Sequence, residues 1–502
     1  MMPYSIRSRR VLVAIATALS TAAPLAAQRG GQATTTQPRA LDRRVAPTPG
    51  KTPELRVPAW SKSTLSNGAR LIVSEKHGLP LVSFQINFVG GANQYEPAGK
   101  TGLAGLTASM LSEGTRYRTG DEISNALQLL GTSINTSIGG ESGRISFLST
   151  TDKLAPTLAI LADILRESTY PEDALERLKA RTVVTLTQNR DRTAGIAAVV
   201  FPKVVYTTEH PYGTSPTEAT VKSVTREDVV SFAKSYFQPR HAVITVVGDV
   251  TDGQVKQLVE RVLGTAWVAG GSMPSFNYPS APQPKSTTIF LVDKPGAAQS
   301  TFAIGEVGPP RDTPDYYALR VMNEMLGVLF QSRLNHNIRE VKGYSYGVFS
   351  NYAFGRGPGA FRAGGDVVTA KTDSALIEFM KELRDIRGPR PPTDEEMAQA
   401  KASLVQSLPA MFASVSSVNN SIGTIYTQDL PEDYYQQFAK AVNAVTKNDV
   451  VRVAEKYIDP DHLAIVIVGD RATIAEPLAA TKIAPIVLLD LDGNLIQGKT
   501  TP

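Results

Sequence analysis

Part of this chain is written twice, and that constrains its fold more than anything else in it. Val224-Thr-Arg-Glu-Asp228-Val-Val leads to Tyr236-Phe-Gln-Pro239-Arg-His241 and then Ile244-Thr-Val-Val-Gly248-Asp249. Further on, Val445-Thr-Lys-Asn-Asp449-Val-Val leads to Tyr457-Ile-Asp-Pro460-Asp-His462 and then Ile465-Val-Ile-Val-Gly469-Asp470. The offset is 221 residues throughout, and 13 of 26 aligned positions are identical. A repeat of that length is a duplicated structural unit, so the chain consists of two homologous halves of about 200 residues each.

Each copy predicts the same local structure. Thr225 or Thr446 supplies an N-cap oxygen to a helix that places Val229 and Ala233 on its core face. A turn at proline follows, then a β-branched apolar strand at 242–247 or 463–468. His241 and His462 stand just before these strands and read as structural histidines. Thr119-Gly-Asp-Glu122 is a capping box ahead of Ile123, Leu127 and Leu130, with Gly131 closing the helix, and Thr393-Asp-Glu-Glu396 starts a second-half helix in the same way. Segments 71–75, 82–89 and 144–149 read as strands. The expected fold class is α+β: two homologous halves, each a sandwich layer of antiparallel-rich sheet and helices. The halves are expected at 58–265 and 286–478, joined by a Pro-, Ser- and Gly-rich linker at 266–285. A tail at 479–502 carries Asp490-Leu-Asp-Gly-Asn494, which opens like a calcium loop without its later acidic ligands and reads as a hairpin turn.

The N-terminus predicts export. Arg7, Arg9 and Arg10 form a basic stretch, 11–25 is a short apolar run broken by Ser20, Thr21 and Pro24, and Ala26-Ala27-Gln28 offers a small-residue cleavage point after residue 27. Residues 28–57, rich in Thr, Pro, Gln and Gly, read as a disordered tether. The formal charge is +5 over 502 residues, and three of those charges sit in the leader, leaving +2. That balance gives no case for nucleic acid. No cysteine is present, which excludes disulfides, thiolate metal sites and thiol nucleophiles.

Several motifs follow one another in a fixed order over both halves. They are Leu65-Ser-Asn-Gly68-Ala-Arg-Leu, Gly102-Leu-Ala with Met110-Leu-Ser-Glu-Gly114-Thr115, and His210-Pro-Tyr-Gly213. Leu326-Gly327, Ser332-Arg-Leu334 and Arg339-Glu-Val-Lys-Gly343-Tyr-Ser-Tyr346 continue the series. In this respect 58–478 resembles the insulinase/pitrilysin family of zinc metallopeptidases, the inverzincins. In catalytic members of that family the helix before Gly-Thr carries H-x-x-E-H, two histidines binding zinc and a glutamate acting as general base, and a further glutamate downstream completes the metal shell. Here Gly105 and Ser109 occupy the two histidine positions and Ala108 that of the base. The matching downstream stretch at 182–188 holds no acid. The five histidines are 77, 210, 241, 336 and 462, and no two are four apart. The resemblance therefore implies a member that holds no metal of its own, of the non-catalytic type.

What survives is the other part of the family's site. In two-part relatives the C-terminal half or second subunit supplies an arginine and a tyrosine to the cleavage chamber, and these match Arg339 and Tyr346. A guanidinium and a phenol can hydrogen-bond a substrate carbonyl and a developing oxyanion. Spacing alone reads Arg339 as a surface ion pair with Glu340 and Tyr346 as a core aromatic; Gly343 between them permits a tight turn. The implied function is a non-catalytic subunit of a heterodimeric peptidase, lending Arg339 and Tyr346 to an H-x-x-E-H-bearing partner that holds the zinc and cleaves oligopeptides. The alternative is a structural or peptide-holding scaffold of the same fold, like the family members that became core subunits of a respiratory complex. An autonomous peptidase with another metal site would need a ligand cluster that the sequence does not offer.

Overall fold

The computed structural model describes residues 55–265, 267 and 276–501. The leader, most of the tether and part of the linker lie outside the described residues. The first half forms a six-stranded sheet from β1 (Ser61–Thr64), β2 (Arg70–Glu75), β3 (Leu81–Val89), β4 (Asn135–Ile138), β5 (Ser142–Thr150) and β6 (Ala242–Gly248), ordered β1-β2-β6-β3-β5-β4. The second half forms a seven-stranded sheet from β7 (Thr288–Asp293), β8 (Gln299–Val307), β9 (Ser345–Tyr352), β10 (Ala360–Val368), β11 (Ala464–Gly469), β12 (Ile486–Leu489) and β13 (Leu495–Thr501), ordered β13-β12-β7-β11-β8-β10-β9. The first sheet has one parallel pairing, β2 with β6, and the second has two, β7 with β11 and with β12; the rest are antiparallel. The α+β class and the duplicated, antiparallel-rich sheets are as the sequence predicts.

The capping boxes form where the side chains allow them. Thr119, Thr225, Thr393 and Thr446 each accept a hydrogen bond from the backbone N–H three residues on, and the carboxylates of Glu122, Asp228, Glu396 and Asp449 in turn accept one from the cap's own N–H. Val229 and Ala233 are buried, as are Ile123 and Leu127. His462 hydrogen-bonds Asp459 at 2.7 Å, a local structural contact.

The packing holds something that local pattern does not disclose. Every interior position of β3 is buried, so the first sheet is covered on both faces. One face carries helices of its own half around Leu106, Leu158 and Phe232. The other carries the Val415–Thr427 helix of the second half, whose Val418, Ile422 and Ile425 meet Ile72, Val243 and Val247. The exchange is mutual. The Thr193–Tyr206 helix of the first half lies on the second sheet, with Ile196, Val200 and Phe201 against Ala303, Val466 and Val468. The second contact is apolar apart from the hydroxyl of Thr301, which donates to Thr193 at the helix start at 2.8 Å, whereas the first has a polar centre. Asn419, fully buried, donates to Ser83 O at 2.8 Å and to Thr245 O at 3.1 Å.

Two boundaries differ from expectation. Leu55 and Val57, placed within the tether by composition, pack with Trp60 on the larger core. The tail after 478 adds β12 and β13 to the second sheet, because Ile486, Leu488 and Leu489 are apolar enough to be buried there. Asp490 closes that hairpin, accepting from the N–H of Asp492 at 2.9 Å and of Asn494 at 2.8 Å. Its carboxylate thus serves a turn.

Glu306 on β8 is buried and accepts a hydrogen bond from Asp459 N at 2.7 Å. Burial, helped by the Asp459 charge, pushes its carboxyl from an ordinary 4.5 up to about 8. The folded chain therefore keeps a proton that the unfolded chain releases. Its stabilising contribution is full below the ordinary value and is lost as pH rises toward 8. We expect denaturant midpoints of the wild type to fall between pH 5 and 8, by up to about 1.4 kcal/mol per pH unit from this group. Glu306→Gln should flatten that slope; equal slopes in the two proteins would refute the assignment.

Candidate functional site

The helix at the zinc position, Leu103–Met110, begins at Gly102, whose left-handed φ of 107° a side chain would resist. Glu96 accepts hydrogen bonds from the N–H groups of Gly102 at 3.0 Å and Ala104 at 2.7 Å, which satisfies and charge-complements the helix start. Leu103, Leu106, Thr107 and Met110 are buried. Gly105 and Ser109 lie one turn apart on the exposed edge, and Ala108 turns inward. A side chain at Gly105 would enter open space, with no atom within 4 Å of its Cβ. The backbone thus presents the two positions side by side, as metal ligands would require, without the ligands.

The chemistry of this donor set does not fit zinc. Gly105 and Ala108 offer no donor atom, and the Ser109 hydroxyl donates back to Gly105 O at 3.0 Å. The neighbouring Glu172–Asn189 helix brings Thr182, Thr185 and Thr187, whose hydroxyls donate to Leu178 O, Arg181 O and Val183 O of the same helix at 2.8, 3.1 and 3.0 Å. Among the described residues no three His, Asp or Glu side chains gather as a metal site.

In the second half the structure brings Arg339 and Tyr346 together. Arg339 lies on the wide turn His336–Val341. Gly343 follows at φ 65°, its N–H bonded to Arg339 O at 3.1 Å, and reverses the chain into β9. Tyr346 stands on that strand, at the outer edge of the sheet. The Arg339 guanidinium lies 4.5 Å from the Phe330 ring centroid and 5.3 Å from that of Tyr346. The two bland readings fare differently. Arg339 does contact Glu340, Nε to Oε1 at 3.1 Å, in a half-exposed pair that water weakens. Tyr346 is no core aromatic: it is 88% exposed. Phe330, Val341 and Phe349 are exposed as well, so pattern reasoning missed an apolar rim that the turn collects from separate elements.

Arg333, quoted above only as part of a motif, holds this turn in place. Its side chain is 4% exposed, and Nε and Nη2 grip the Glu396 carboxylate at 2.6 and 2.8 Å. Nη1 donates to Arg390 O at 2.6 Å and Nη2 to Pro391 O at 3.2 Å. A buried guanidinium with this many partners is a structural clamp.

Residues 72–205 match the family described as Insulinase (Peptidase family M16), and residues 223–404 match the Peptidase M16 inactive domain. The chain belongs to peptidase family M16. Its two-sheet architecture is shared with the peptidase M16 inactive domain from Pseudomonas fluorescens, at a TM-score of 0.75 and 23% identity over 82% of this chain and 98% of that one. A protease from Helicobacter pylori superposes at a TM-score of 0.73 and 20% identity, over 82% and 99% of the two chains. Among relatives in sequence, a non-peptidase homologue from Helicobacter pylori is 21% identical over 80% of this chain and 92% of its own length. An uncharacterized zinc protease from Bacillus subtilis is 25% identical over 58% and 69%. Within M16 this chain is an inactive-type homologue of the peptidases. No helix among its described residues is long and apolar enough to cross a membrane.

Proposed function

We propose that this chain is the non-catalytic subunit of a two-chain M16 peptidase, pairing with an H-x-x-E-H-bearing homologue and presenting Arg339 and Tyr346 to the peptide held at that partner's zinc. The observation that carries the reading is the exposed Arg339–Tyr346 pair in a chain whose metal-position helix bears no ligand. A fold kept only for its shape has no use for a phenol standing 88% exposed beside a guanidinium stacked on it. Both hydrogen-bond donors suit an acyl oxygen on which charge develops. Helicobacter pylori holds both a zinc protease and a non-peptidase homologue similar to this chain, which supports two roles divided between two chains.

The test is reconstitution with an M16 homologue from the same organism that carries H-x-x-E-H, sought first in the open reading frames adjacent to this one. The mixture should hydrolyse unfolded oligopeptides faster than the partner alone; a partner that gains nothing sinks the proposal. The purified chain by itself should carry no stoichiometric zinc by metal analysis and cleave no peptide. One tightly held zinc per chain with chelator-sensitive hydrolysis would contradict this.

Export belongs to the same proposal. The basic stretch, apolar run and Ala26-Ala27-Gln28 place the mature N-terminus close to Gln28. N-terminal sequencing of the functional protein from the cell envelope checks it, and an intact Met1 there would count against it.

A further inference from the structure

A cavity of about 660 Å³ lies between the Thr193–Tyr206 helix of the first half and strands β9 and β10 of the second. It shares no residue with the metal-position helix or the Arg339–Tyr346 pair. Phe201, Tyr352 and Phe354 give it aromatic walls, and Asn351 and Arg362, paired across β9 and β10, line it together. Its volume is within the range of small-ligand pockets, roughly 300–1,000 Å³.

Arg362 is a half-buried cation whose head is left unpaired. Its Nε is buried and donates to nothing, whereas both terminal nitrogens keep accessible surface and are equally without an acceptor among the described residues. The guanidinium carbon lies 5.7 Å from the Phe201 ring centroid and 5.5 Å from that of Phe349, so two rings flank it. Burial lowers its pKa, with the charge of Asp366 opposing. The nearby acids are committed elsewhere. Asp366, four residues along β10, accepts from Thr301 Oγ1 at 2.5 Å. Glu141, on the cavity wall, accepts from the hydroxyls of Tyr212 and Tyr278 and from the N–H groups of Arg356 at 2.8 Å and Gly357 at 3.3 Å.

A guanidinium with its outer fork open matches a planar carboxylate in two parallel bonds, and such bonds are stronger where aromatic walls exclude water. The place of Arg362 on the sheet ties it to the Arg339–Tyr346 pair. Gly347 pairs with Asp366 and Asn351 with Arg362. Arg362 therefore lies four strand residues, about 13 Å, beyond the level of Gly347, the neighbour of Tyr346. Phe349 stands between them, exposed and beside the guanidinium. An extended peptide with its acyl oxygen at Tyr346 would bring a side chain about four residues away to Arg362.

We propose that Arg362 is a subsite for a carboxylate of the bound peptide, either an acidic side chain about four residues from the cleaved bond or the peptide's own C-terminus. The inference rests on the reading of this chain as a peptide-binding subunit, but its first test needs no partner. That test is calorimetric titration of the full chain with acetyl-Ala-Ala-Glu-Phe-Ala-amide, its Gln counterpart, and the Gln peptide with a free C-terminal carboxylate. The Glu peptide or the free acid should bind at least tenfold tighter than the Gln amide; the first assigns the subsite to side chains, the second to chain ends, and both support it. Arg362→Gln should bring all three peptides within about twofold of one another. Asn351→Asp, at an exposed position directly across from Arg362, supplies an internal carboxylate and should weaken the tighter peptide at least fivefold. It carries the test if Arg362→Gln fails to fold, as judged by its melting curve. In the reconstituted pair the tighter peptide class should also show the lower KM at similar kcat, and Arg362→Gln should erase that difference. An inactive pair with the binding preference intact would overturn the two-chain reading and leave the subsite standing. No binding by either carboxylate peptide, equal affinity for all three, or a preference undiminished in the folded variants overturns the subsite.

Discussion

Arg339→Ala or Tyr346→Phe in a reconstituted pair is expected to lower peptide hydrolysis about ten- to a thousandfold, the range for deleting one oxyanion-type donor. Both side chains sit on a turn and a sheet edge without core contacts that folding depends on, so heterodimer formation and melting should be unchanged. The loss should fall on kcat, because such donors matter most when charge develops on the acyl oxygen. Tyr346→Phe is the sharper of the two. It keeps the ring beside Arg339 and removes only the hydroxyl, so a loss of activity isolates the hydrogen bond from the stacking. A pair that works equally well with both residues replaced would refute the donation in trans and leave the scaffold reading standing.

The largest effect on stability is expected at Arg333. Replacing it by alanine removes the bidentate grip on Glu396 and leaves the carbonyls of Arg390 and Pro391 without their donor. Glu396 is partly buried, and burial alone would raise its carboxyl; the Arg333 bonds and the Thr393 N–H hold it below its ordinary value. Losing the guanidinium strands that charge, so Arg333→Ala should cost about 3–5 kcal/mol in denaturant titration. Arg333→Lys keeps the charge but not the fork and should fall between. A midpoint shift under about 1 kcal/mol for alanine would show that the clamp is redundant. Because Arg333 precedes the Arg339 turn by less than two helical turns, the same variant should also lower the activity of the pair at temperatures where the chain remains folded.

What could be read in advance follows the range of the interaction. The capping threonines at 119, 225, 393 and 446 were legible because the cap and its third residue lie within one turn. The repeat strands were legible from β-branching. The closeness of Arg339 and Tyr346 was not a matter of periodicity; it came through the motif, and the wide turn with Gly343 at φ 65° gives it a physical basis. The mutual helix exchange left no trace. The 193–206 helix is apolar on nearly all sides, which says that it is buried but not against what. On the 415–427 helix, Asn419 is a polar residue that pattern assigns to solvent, yet it is buried against carbonyls of β3 and β6. The cavity around Arg362 draws its walls from positions between 93 and 362 that no spacing rule connects.

The crossed placement of the 193–206 and 415–427 helices says something about ancestry. A progenitor made of one such half would have exposed a sheet face with nothing to cover it and an apolar helix with nowhere to lie. Two copies would have satisfied each other by trading helices, and neither would have been stable alone. Duplication and fusion of the gene turned that obligate embrace into a single chain and freed its two members to diverge. One contact stayed greasy while the other acquired its asparagine. The two halves are therefore best regarded as a tethered dimer: severing the connection around 266–285 should leave two fragments that remain bound and unfold together.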